Sequence, residues 1–201
     1  MEIDPKNLKL VIGLGNPGKE YEKTHHNVGF LLLDHLTKTI ENPKFSGSAE
    51  YASDEKTRRI LNLKFSKSDV YMNHSGEYVK KNIKKYGVKP EELLIAHDDS
   101  DIFLGDFKIS FDRGAAGHKG IESIISQLKT KKFWRIRIGI RPQMSPFKTG
   151  NPRHHSQNEK TNPLTIAQRA KASEFVLKKI SPNNQKKLDI VFKEIVGCLF
   201  G

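Results

Sequence analysis

The stretch that decides the fold is a short apolar run that opens onto glycines and polar side chains, Leu10-Val11-Ile12-Gly13-Leu14-Gly15-Asn16-Pro17-Gly18. The apolar run predicts a buried strand over Lys9 to Leu14. The glycines after it allow the backbone to take positive φ and to come close to a ligand. Asn16, Tyr21 and His26 then supply amide, phenol and imidazole groups within one compact loop. Chemistry or tight polar recognition is expected there.

The three glycines of this stretch also match the G-x-G-x-x-G pattern of dinucleotide-binding proteins. That pattern requires its third glycine at the start of a helix, with an acidic residue about 20 positions later at the end of a second strand. Pro17 interrupts the motif, and Asp34 falls within Val28 to Ile40, where apolar residues at every fourth position predict a helix. We therefore expect no nucleotide cofactor.

Length and composition favour one intracellular domain. The 201 residues, 36% of them hydrophobic, suffice for one sizeable core. The single cysteine, Cys198, cannot form an intramolecular disulfide or a zinc cluster, and we expect it to be a small buried residue. No apolar run approaches the roughly 18 residues of a membrane span, and Met1-Glu2-Ile3-Asp4 lacks the charged and apolar regions of a signal peptide. These features predict a cytoplasmic protein, or a mitochondrial one if the source is eukaryotic.

The charge balance points to a polyanionic partner. Lys and Arg number 35 against 23 Asp and Glu, for a net charge of +12. A basic excess favours nucleic acid, although lysine-rich surfaces also simply keep proteins in solution. One basic cluster lies on the outer side of a predicted helix and contains Lys80, Lys81, Lys84 and Lys85. The second contains Lys129, Lys131, Lys132, Arg135 and Arg137. Two clusters in one domain suit a phosphate backbone.

Strands and helices alternate along the chain. The predicted strands are Lys9 to Leu14, Arg59 to Phe65, Leu93 to His97, Phe107 to Phe111 and Trp134 to Ile140. Helical spacing of apolar residues occurs over 28–40, 79–86, 121–128 and 188–199, and Ser181 with Pro182 predicts the start of the last helix. This alternation predicts a single three-layer α/β/α domain, residues 1–201, around a mixed, mostly parallel twisted sheet.

The segment from Arg141 to Lys171 differs from the rest of the chain. It has four prolines, few large apolar residues, and six basic side chains against Glu159 alone. This composition predicts a long loop or lid, either an accessory insertion or a nucleic-acid contact. The adjacent His154 and His155 lack further ligands at metal-binding spacing, so no metal site is expected.

Four polar stretches follow strands or open helices: the loop that contains Asn16 and His26, and residues 71–76, 97–101 and 114–120. Loops at the carboxyl ends of the strands of an open α/β sheet converge on one crevice, so the four stretches are expected to meet. Asp98, directly after a predicted strand, is placed to hold an imidazole through its Nδ1 proton. That contact would leave the other nitrogen free to take a proton from water.

The motifs in these stretches resemble those of the bacterial-type peptidyl-tRNA hydrolases. They are G-L-G-N-P-G-x-x-Y-x-x-T-x-H-N, Y-M-N-x-S-G, H-D-D and G-x-x-G-H-x-G, and the match runs from Leu8 to Ile140 and resumes near Phe175. The resemblance implies an esterase without metal or cofactor, which cleaves the bond between a peptidyl group and the tRNA 3′ end and recycles tRNA. We expect a monomer that binds peptidyl-tRNA and no membrane.

The resemblance also implies roles for single residues. His26 would be the catalytic base on water, and Asp98 would orient it. Asn16 would test whether the amino group of the substrate is acylated, and Asn73 would hold the peptide main chain or the attacking water. Further substrate or tRNA contacts are expected from Tyr21, Tyr71, His118, Lys119, Arg137 and Lys108.

Three positions depart from the family pattern. His25 stands where the family usually has arginine, and Lys119 replaces an asparagine beside His118. Ser110 lies where a basic phosphate ligand is expected, with Lys108 two residues away on the same strand face. Because a fold does not determine a function, a non-catalytic RNA-binding protein on the same scaffold, similar to organellar splicing factors, is the alternative.

Overall fold

A computed structural model of the chain describes residues 3–41, 63–142 and 175–200. Within these ranges five strands form one sheet in the order β2-β1-β3-β5-β4. Their bounds are β1 Leu10–Gly13, β2 Lys64–Lys67, β3 Leu93–Phe103, β4 Phe107–Phe111 and β5 Trp134–Arg141. The strands β2, β1, β3 and β5 pair in parallel, and β4 pairs antiparallel to β5. The mixed, mostly parallel sheet is therefore confirmed.

Four α-helices of the described ranges cover the two faces of this sheet. Their bounds are α1 Val28–Glu41, α2 Ser75–Tyr86, α3 Lys119–Leu128 and α4 Pro182–Phe200. Apolar residues of α1 and α4 pack in one hydrophobic cluster, and those of α2 and α3 pack in another. The fold has the three predicted layers, with one helix pair on each side of the sheet.

The alternation of side chains along β3 explains why helices cover both faces. Leu94 and Ala96 belong to the cluster beneath α1 and α4, whereas Leu93 and Ile95 belong to the cluster beneath α2 and α3. All four side chains have no exposed surface. Full burial of each leucine or isoleucine contributes about 1.5–3 kcal/mol, so a central strand that is apolar on both faces stabilises both layers at once.

Local signals set the ends of the helices. The Ser181 hydroxyl accepts a hydrogen bond from the Asn184 amide at 3.3 Å, and Pro182 is the first residue of α4. Both features match the predicted helix start. At its other end α2 stops at Gly87, which adopts the left-handed conformation with φ of 63°. Glycine takes this conformation without the steric cost that a Cβ would add.

Two glycines allow α1 to approach the sheet closely. A Cβ at Gly29 would lie 2.4 Å from the Ala96 carbonyl oxygen, and a Cβ at Gly13 would lie 2.5 Å from the Gly29 oxygen. Neither contact is sterically possible, so the first turn of α1 packs backbone against backbone on β1 and β3. The turn that carries His26 ends immediately before this helix.

The geometry after Gly18 differs from that of dinucleotide-binding proteins. Short 3₁₀ turns at Lys19–Tyr21 and His25–Asn27 follow this glycine, and α1 begins only at Val28. The helix N-terminus that would receive a pyrophosphate is therefore not at the third glycine.

Strand β3 is longer than the predicted strand, which ended at His97. It continues to Phe103 because Asp98 and Asp99 pair with Ile138 and Gly139 of β5, with a register irregularity before Phe103. Asp98 therefore lies within a strand. Strand β2 runs from Lys64 to Lys67, and residues 59–62 of the predicted strand lie outside the described residues.

Two side chains lie in environments opposite to the predicted ones. Cys198 is exposed, because it faces outward on α4 between the buried positions Ile195 and Leu199. Arg135, assigned to an exposed basic cluster, is only 1% exposed. It donates a hydrogen bond to the Gly114 carbonyl at 3.1 Å, and its position in β5 places it on the face of the sheet opposite to Trp134 and Ile136.

The predicted lid from 141 to 171 lies outside the described residues, apart from its first two positions, and the lid remains a prediction. A single domain over 1–201 likewise remains a prediction. None of the helices in the described ranges combines the length and the apolar content that a membrane crossing requires.

Candidate active site

A histidine and an aspartate from distant parts of the chain form a hydrogen-bonded pair. His26 lies on the 3₁₀ turn between β1 and α1, and Asp98 lies in β3. The Nδ1 atom of His26 is 2.7 Å from Oδ1 of Asp98. The Asp98 side chain is 3% exposed and that of His26 is 14% exposed. The His26 imidazole is therefore partly accessible to solvent, whereas the carboxylate that it contacts is buried.

A second imidazole contacts the same carboxylate oxygen. Nε2 of His118 lies 3.0 Å from Oδ1 of Asp98, and Nδ1 of His118 accepts the backbone N–H of Ile121 at 3.3 Å. Because Nδ1 acts as the acceptor, Nε2 carries the proton, and this N–H donates a hydrogen bond to Asp98. His118 is also the N-cap of α3, so the start of that helix holds the ring in place.

The contacts among these groups shift the pKa values of Asp98 and His26. Burial alone would raise the pKa of Asp98, but the charges of His26 and His118 and their hydrogen bonds outweigh it, and its pKa lies well below the ordinary value. Burial would lower the pKa of His26, but attraction to Asp98 and its hydrogen bond raise it above the ordinary value. Asp98 is therefore ionised, and it fixes the His26 tautomer with the proton on Nδ1.

His97 contacts both Asp98 and His118. Its Nδ1 donates to the Asp98 carbonyl oxygen at 2.7 Å, and its ring meets the His118 ring edge-on with centroids 4.7 Å apart. Burial, and then the charges of His118 and Arg135, hold the pKa of His97 well below its ordinary value. His97 is therefore neutral, and it packs against His118.

These residues border an open pocket of about 130 Å³. His26 and residues 98–101 form one part of its lining, residues 115–119 form another, and Val176 completes it. Three of the four predicted polar stretches, the loop with His26, 97–101 and 114–120, thus contribute to the lining of this pocket. Val176 comes from the region after the predicted lid, where neither periodicity nor a polar motif signalled a site residue.

Asn16 lies outside the lining of this pocket, and Asn27 and Met72 hold it from two sides. Its backbone N–H donates to Asn27 Oδ1 and its carbonyl accepts from Asn27 Nδ2, both at 2.9 Å. Its side-chain Oδ1 accepts the backbone N–H of Met72 at 2.9 Å. These bonds fix the orientation of the Asn16 amide and join the stretch at 71–76 to the first loop. Sequence reasoning missed the Asn27 clamp, although Asn27 lies within the first motif.

Two tyrosines form an aromatic pair between the first loop and the stretch 71–76. The rings of Tyr21 and Tyr71 meet edge-on with centroids 6.3 Å apart, and Tyr71 is 53% exposed. Asn73 is exposed and follows Met72, whose amide holds Asn16. Exposed rings beside polar amides can contact bases or peptide side chains.

The basic residues of β4 and β5 form a separate group next to the pocket. Arg137 Nε donates to Asp99 Oδ2 at 2.7 Å, and Asp99 is itself part of the pocket lining. Lys108 is exposed and lies directly across from Arg137 in the antiparallel pair. The buried Arg135 has Arg137 as a neighbour, and burial together with this like charge lowers the pKa of Arg135 to about 10.

Lys119 borders the pocket from the start of α3. Its ammonium group lies 3.0 Å from a carboxylate oxygen of Glu122, and its side chain is 74% exposed. An exposed pair one helical turn apart contributes little to stability, so the ammonium can leave Glu122 for a ligand at small cost.

Known proteins resemble this chain over most of its length. A family model described as peptidyl-tRNA hydrolase matches residues 10–199. The chain belongs to the peptidyl-tRNA hydrolase family. It is 35% identical to a peptidyl-tRNA hydrolase of Aquifex aeolicus over 196 residues, which cover 96% of this chain and 88% of that protein. A peptidyl-tRNA hydrolase of Lawsonia intracellularis is 42% identical over 132 residues, 65% of this chain and 66% of that protein.

Solved structures agree with this family membership. A crystal structure of peptidyl-tRNA hydrolase from Acinetobacter baumannii superposes with a TM-score of 0.68 at 28% identity, and the match covers 96% of this chain and 86% of that one. The recognition from four short motifs and the three-layer fold are both confirmed. Three of the four motifs supply residues to the pocket, His26, Asp98 and His118 among them.

The same three side chains also have a spacing that a metal ion could bridge. The ligand atoms of His26, Asp98 and His118 lie within 4.8 Å of one another. In this structure both facing imidazole nitrogens are hydrogen-bonded to the carboxylate, so an ion would have to displace both protons.

Proposed function

We propose that the chain hydrolyses the ester bond that joins a peptidyl group to the 3′ end of tRNA, with His26 as the general base. The observation that carries this proposal is the 2.7 Å hydrogen bond between His26 Nδ1 and the buried Asp98, at the edge of the pocket. The bond holds the imidazole in one tautomer and leaves Nε2 without a proton when the ring is neutral.

In the proposed mechanism, Nε2 of His26 removes a proton from water as the water oxygen attacks the ester carbonyl. The negative charge of Asp98 stabilises the imidazolium that forms. The tetrahedral intermediate then breaks its bond to the ribose oxygen, and the imidazolium returns the proton to that oxygen. An alkoxide leaves more readily than an amide nitrogen, so one positioned base suffices without a serine or cysteine nucleophile.

Asn16 and Asn73 are proposed to bind the peptidyl part of the substrate. Because Asn16 Oδ1 is engaged by the Met72 amide, the NH₂ end of Asn16 is the end offered to a ligand. An NH₂ donor pairs with the carbonyl of an acylated amino group and repels a free ammonium, which would select peptidyl-tRNA over aminoacyl-tRNA. Asn73 is the partner proposed for the peptide main chain or the attacking water.

The aromatic pair and the start of α3 are proposed to contact the 3′ end and the nearby peptide. Tyr21 and Tyr71 offer ring faces and edges for stacking. Lys119 borders the pocket and offers a mobile ammonium group to a phosphate or carbonyl oxygen. His118 is proposed to act mainly through Asp98.

Arg137 and Lys108 are proposed to bind tRNA phosphates next to the pocket. They lie directly across from each other in the β4–β5 pair, and the hydrogen bond to Asp99 orients the Arg137 guanidinium. The net charge of +12 adds long-range attraction for a polyanion. We further propose that the chain acts as a monomer.

The alternative of a non-catalytic RNA-binding protein is not favoured. A binding protein has no need of an imidazole whose tautomer is fixed by a buried carboxylate, whereas hydrolysis requires one. The relatives from Aquifex aeolicus and Lawsonia intracellularis are also hydrolases by name.

The experiment that tests this proposal is release of tRNA from an N-acetylated aminoacyl-tRNA by the purified chain. His26→Asn should lower the rate by about 10²–10⁴-fold, the usual contribution of a general base. His35→Asn is the matched control, because His35 lies in α1 and packs on Phe192 of α4, away from the pocket. Equal rates for the wild type and His26→Asn would reject His26 as the base.

A further inference from the structure

His25, the residue before the proposed base, is buried and tied to a distant segment. It is 2% exposed. Its backbone N–H donates to the Lys178 carbonyl at 3.2 Å, and its ring Nδ1 lies 2.9 Å from the same oxygen. Because a carbonyl only accepts, Nδ1 carries the proton of this ring. One histidine thus makes two hydrogen bonds to one carbonyl 153 positions away.

The segment Phe175–Ile180, called here the strap, crosses the loop that precedes the proposed base. Ile180 N–H donates to the Lys23 carbonyl at 2.7 Å, and Thr24 and Lys179 form an antiparallel bridge. The Lys179 ammonium donates to the Glu22 carbonyl at 2.6 Å. The strap is therefore joined to residues 22–25 by backbone pairing.

The ring of His25 also packs on the strap. Its centroid lies 4.4 Å from that of Phe175, with 32° between the ring planes. Its Nε2 is buried and has no hydrogen-bond partner within the described ranges. Burial, opposed by the bond to Lys178 and by the charge of Asp98, lowers the pKa of His25. The ring is therefore neutral, with an apolar face on Phe175 and one donor on the strap backbone.

We propose that His25 is a positioning residue that holds the strap so that Val176 forms a wall of the pocket beside His26. Val176 lies between Phe175 and Lys178, the two residues that His25 contacts, and it is the strap residue that lines the pocket. The inference rests on the proposed function for its kinetic consequence. Its structural part, that His25 fixes the strap, stands apart from that function.

Loss of this contact should affect substrate binding more than chemistry. The His26 tautomer depends on Asp98 and not on the strap, so the general base keeps its own hydrogen bond. Without the Nδ1 donor, the strap keeps its backbone bonds to residues 23–25 but loses its side-chain bond next to Val176, so the apolar wall of the pocket is held less firmly. We therefore expect KM to rise while kcat and the midpoint of the pH–rate profile stay the same.

The matched pair His25→Asn and His25→Leu tests the proposal. The two side chains have nearly the same shape, but only the asparagine amide can donate to the Lys178 carbonyl from the place of Nδ1. His25→Leu should raise KM about tenfold with kcat within about twofold, and His25→Asn should stay within about threefold of the wild type. Val176→Ala should raise KM as His25→Leu does, and His35→Leu is the control outside the pocket.

Amide hydrogen exchange gives a second readout that does not require activity. The Ile180 amide, which bonds to Lys23, should exchange faster in His25→Leu than in His25→Asn, while amides of β3 keep their protection. If His25→Leu does not fold, Phe175→Ala removes the ring partner and should show the same faster exchange.

Three results would overturn the proposal. Equal KM values and equal Ile180 exchange for the asparagine and leucine variants would show that the donor does not hold the strap. A fall in kcat with a shifted pH midpoint would show that His25 acts on His26 instead. An unchanged KM in Val176→Ala would show that Val176 does not form a wall of the pocket that the substrate contacts. Absence of hydrolysis by the wild type would reject the proposed function. The exchange rate of the Ile180 amide would then still test whether His25 holds the strap.

Discussion

The Nε2–H group of His118 donates a hydrogen bond to Oδ1 of Asp98, with 3.0 Å between the two atoms. The direction of this bond is set at the start of α3, where the Ile121 amide occupies the other ring nitrogen of His118. The carboxylate that orients His26 is thus held by a second imidazole, which a helix N-terminus keeps in place. A carboxylate with two donors on one oxygen has little freedom to turn, so the orientation of His26 depends on both histidines.

The double role of His118 can be separated by two substitutions. His118→Ser keeps an N-cap but cannot reach Asp98, whereas His118→Ala loses both contacts. We expect both variants to lose about tenfold in kcat, since each removes a donor from Asp98. Because only His118→Ala also loses the N-cap, its unfolding free energy should be about 1 kcal/mol lower than that of His118→Ser, measured by urea denaturation. Full activity in His118→Ser would show that Asp98 needs no second donor.

The activity should depend on pH through His26. Asp98 raises the pKa of His26 above the ordinary 6.5, and the base works only when neutral. The rate kcat/KM should therefore rise with pH, with its midpoint above 6.5. Asp98→Asn removes the negative charge, so the midpoint should move to lower pH while the maximal rate falls. A midpoint that is the same in both proteins would assign the titration to another group.

The salt dependence of tRNA binding should report on the β4–β5 basic pair. If Arg137 and Lys108 each neutralise a phosphate, either alanine variant should reduce the slope of log K against log salt by about one. Lys193→Ala, an equal change of charge on the exposed side of α4, is the control and should leave the slope unchanged. Affinity that does not respond to salt would reject phosphate binding by this pair.

The close approach of α1 to the sheet should make Gly29 intolerant of any side chain. A Cβ there would meet the Ala96 and Leu14 carbonyl oxygens at 2.4 and 2.6 Å. Gly29→Ala should therefore cost about 3 kcal/mol or more of unfolding free energy and displace the turn with His26. Gly197→Ala is the matched control, because its Cβ meets nothing within 4 Å and it lies in α4.

Gly197→Ala should stabilise the chain by up to about 1 kcal/mol through helix propensity. The two alanine substitutions therefore have opposite expected signs, and chemical denaturation of both proteins measures them. A Gly29→Ala variant as stable as the wild type would show that α1 can move away from the sheet without loss.

The local part of the site could be predicted because its signals are short. A strand followed by glycines, Asn16 and His26 lies within one stretch of chain, and each motif stands beside a strand or helix with clear periodicity. Even so, the predicted end of the strand before Asp98 was wrong. Polar side chains continue as strand where a neighbouring strand satisfies their backbone, and that neighbour, β5, lies far along the chain.

By itself the sequence determined the family and the three layers, because periodicity and motifs are properties of neighbouring residues, and the family resemblance then implied that Asp98 orients His26. Only the tertiary structure decided that His118 shares the oxygen that holds His26, that Arg135 is buried, and that Val176 borders the pocket. These are contacts between residues far apart along the chain, and the packing of helices on the sheet selects them. No local pattern encodes which distant side chain fills a given space.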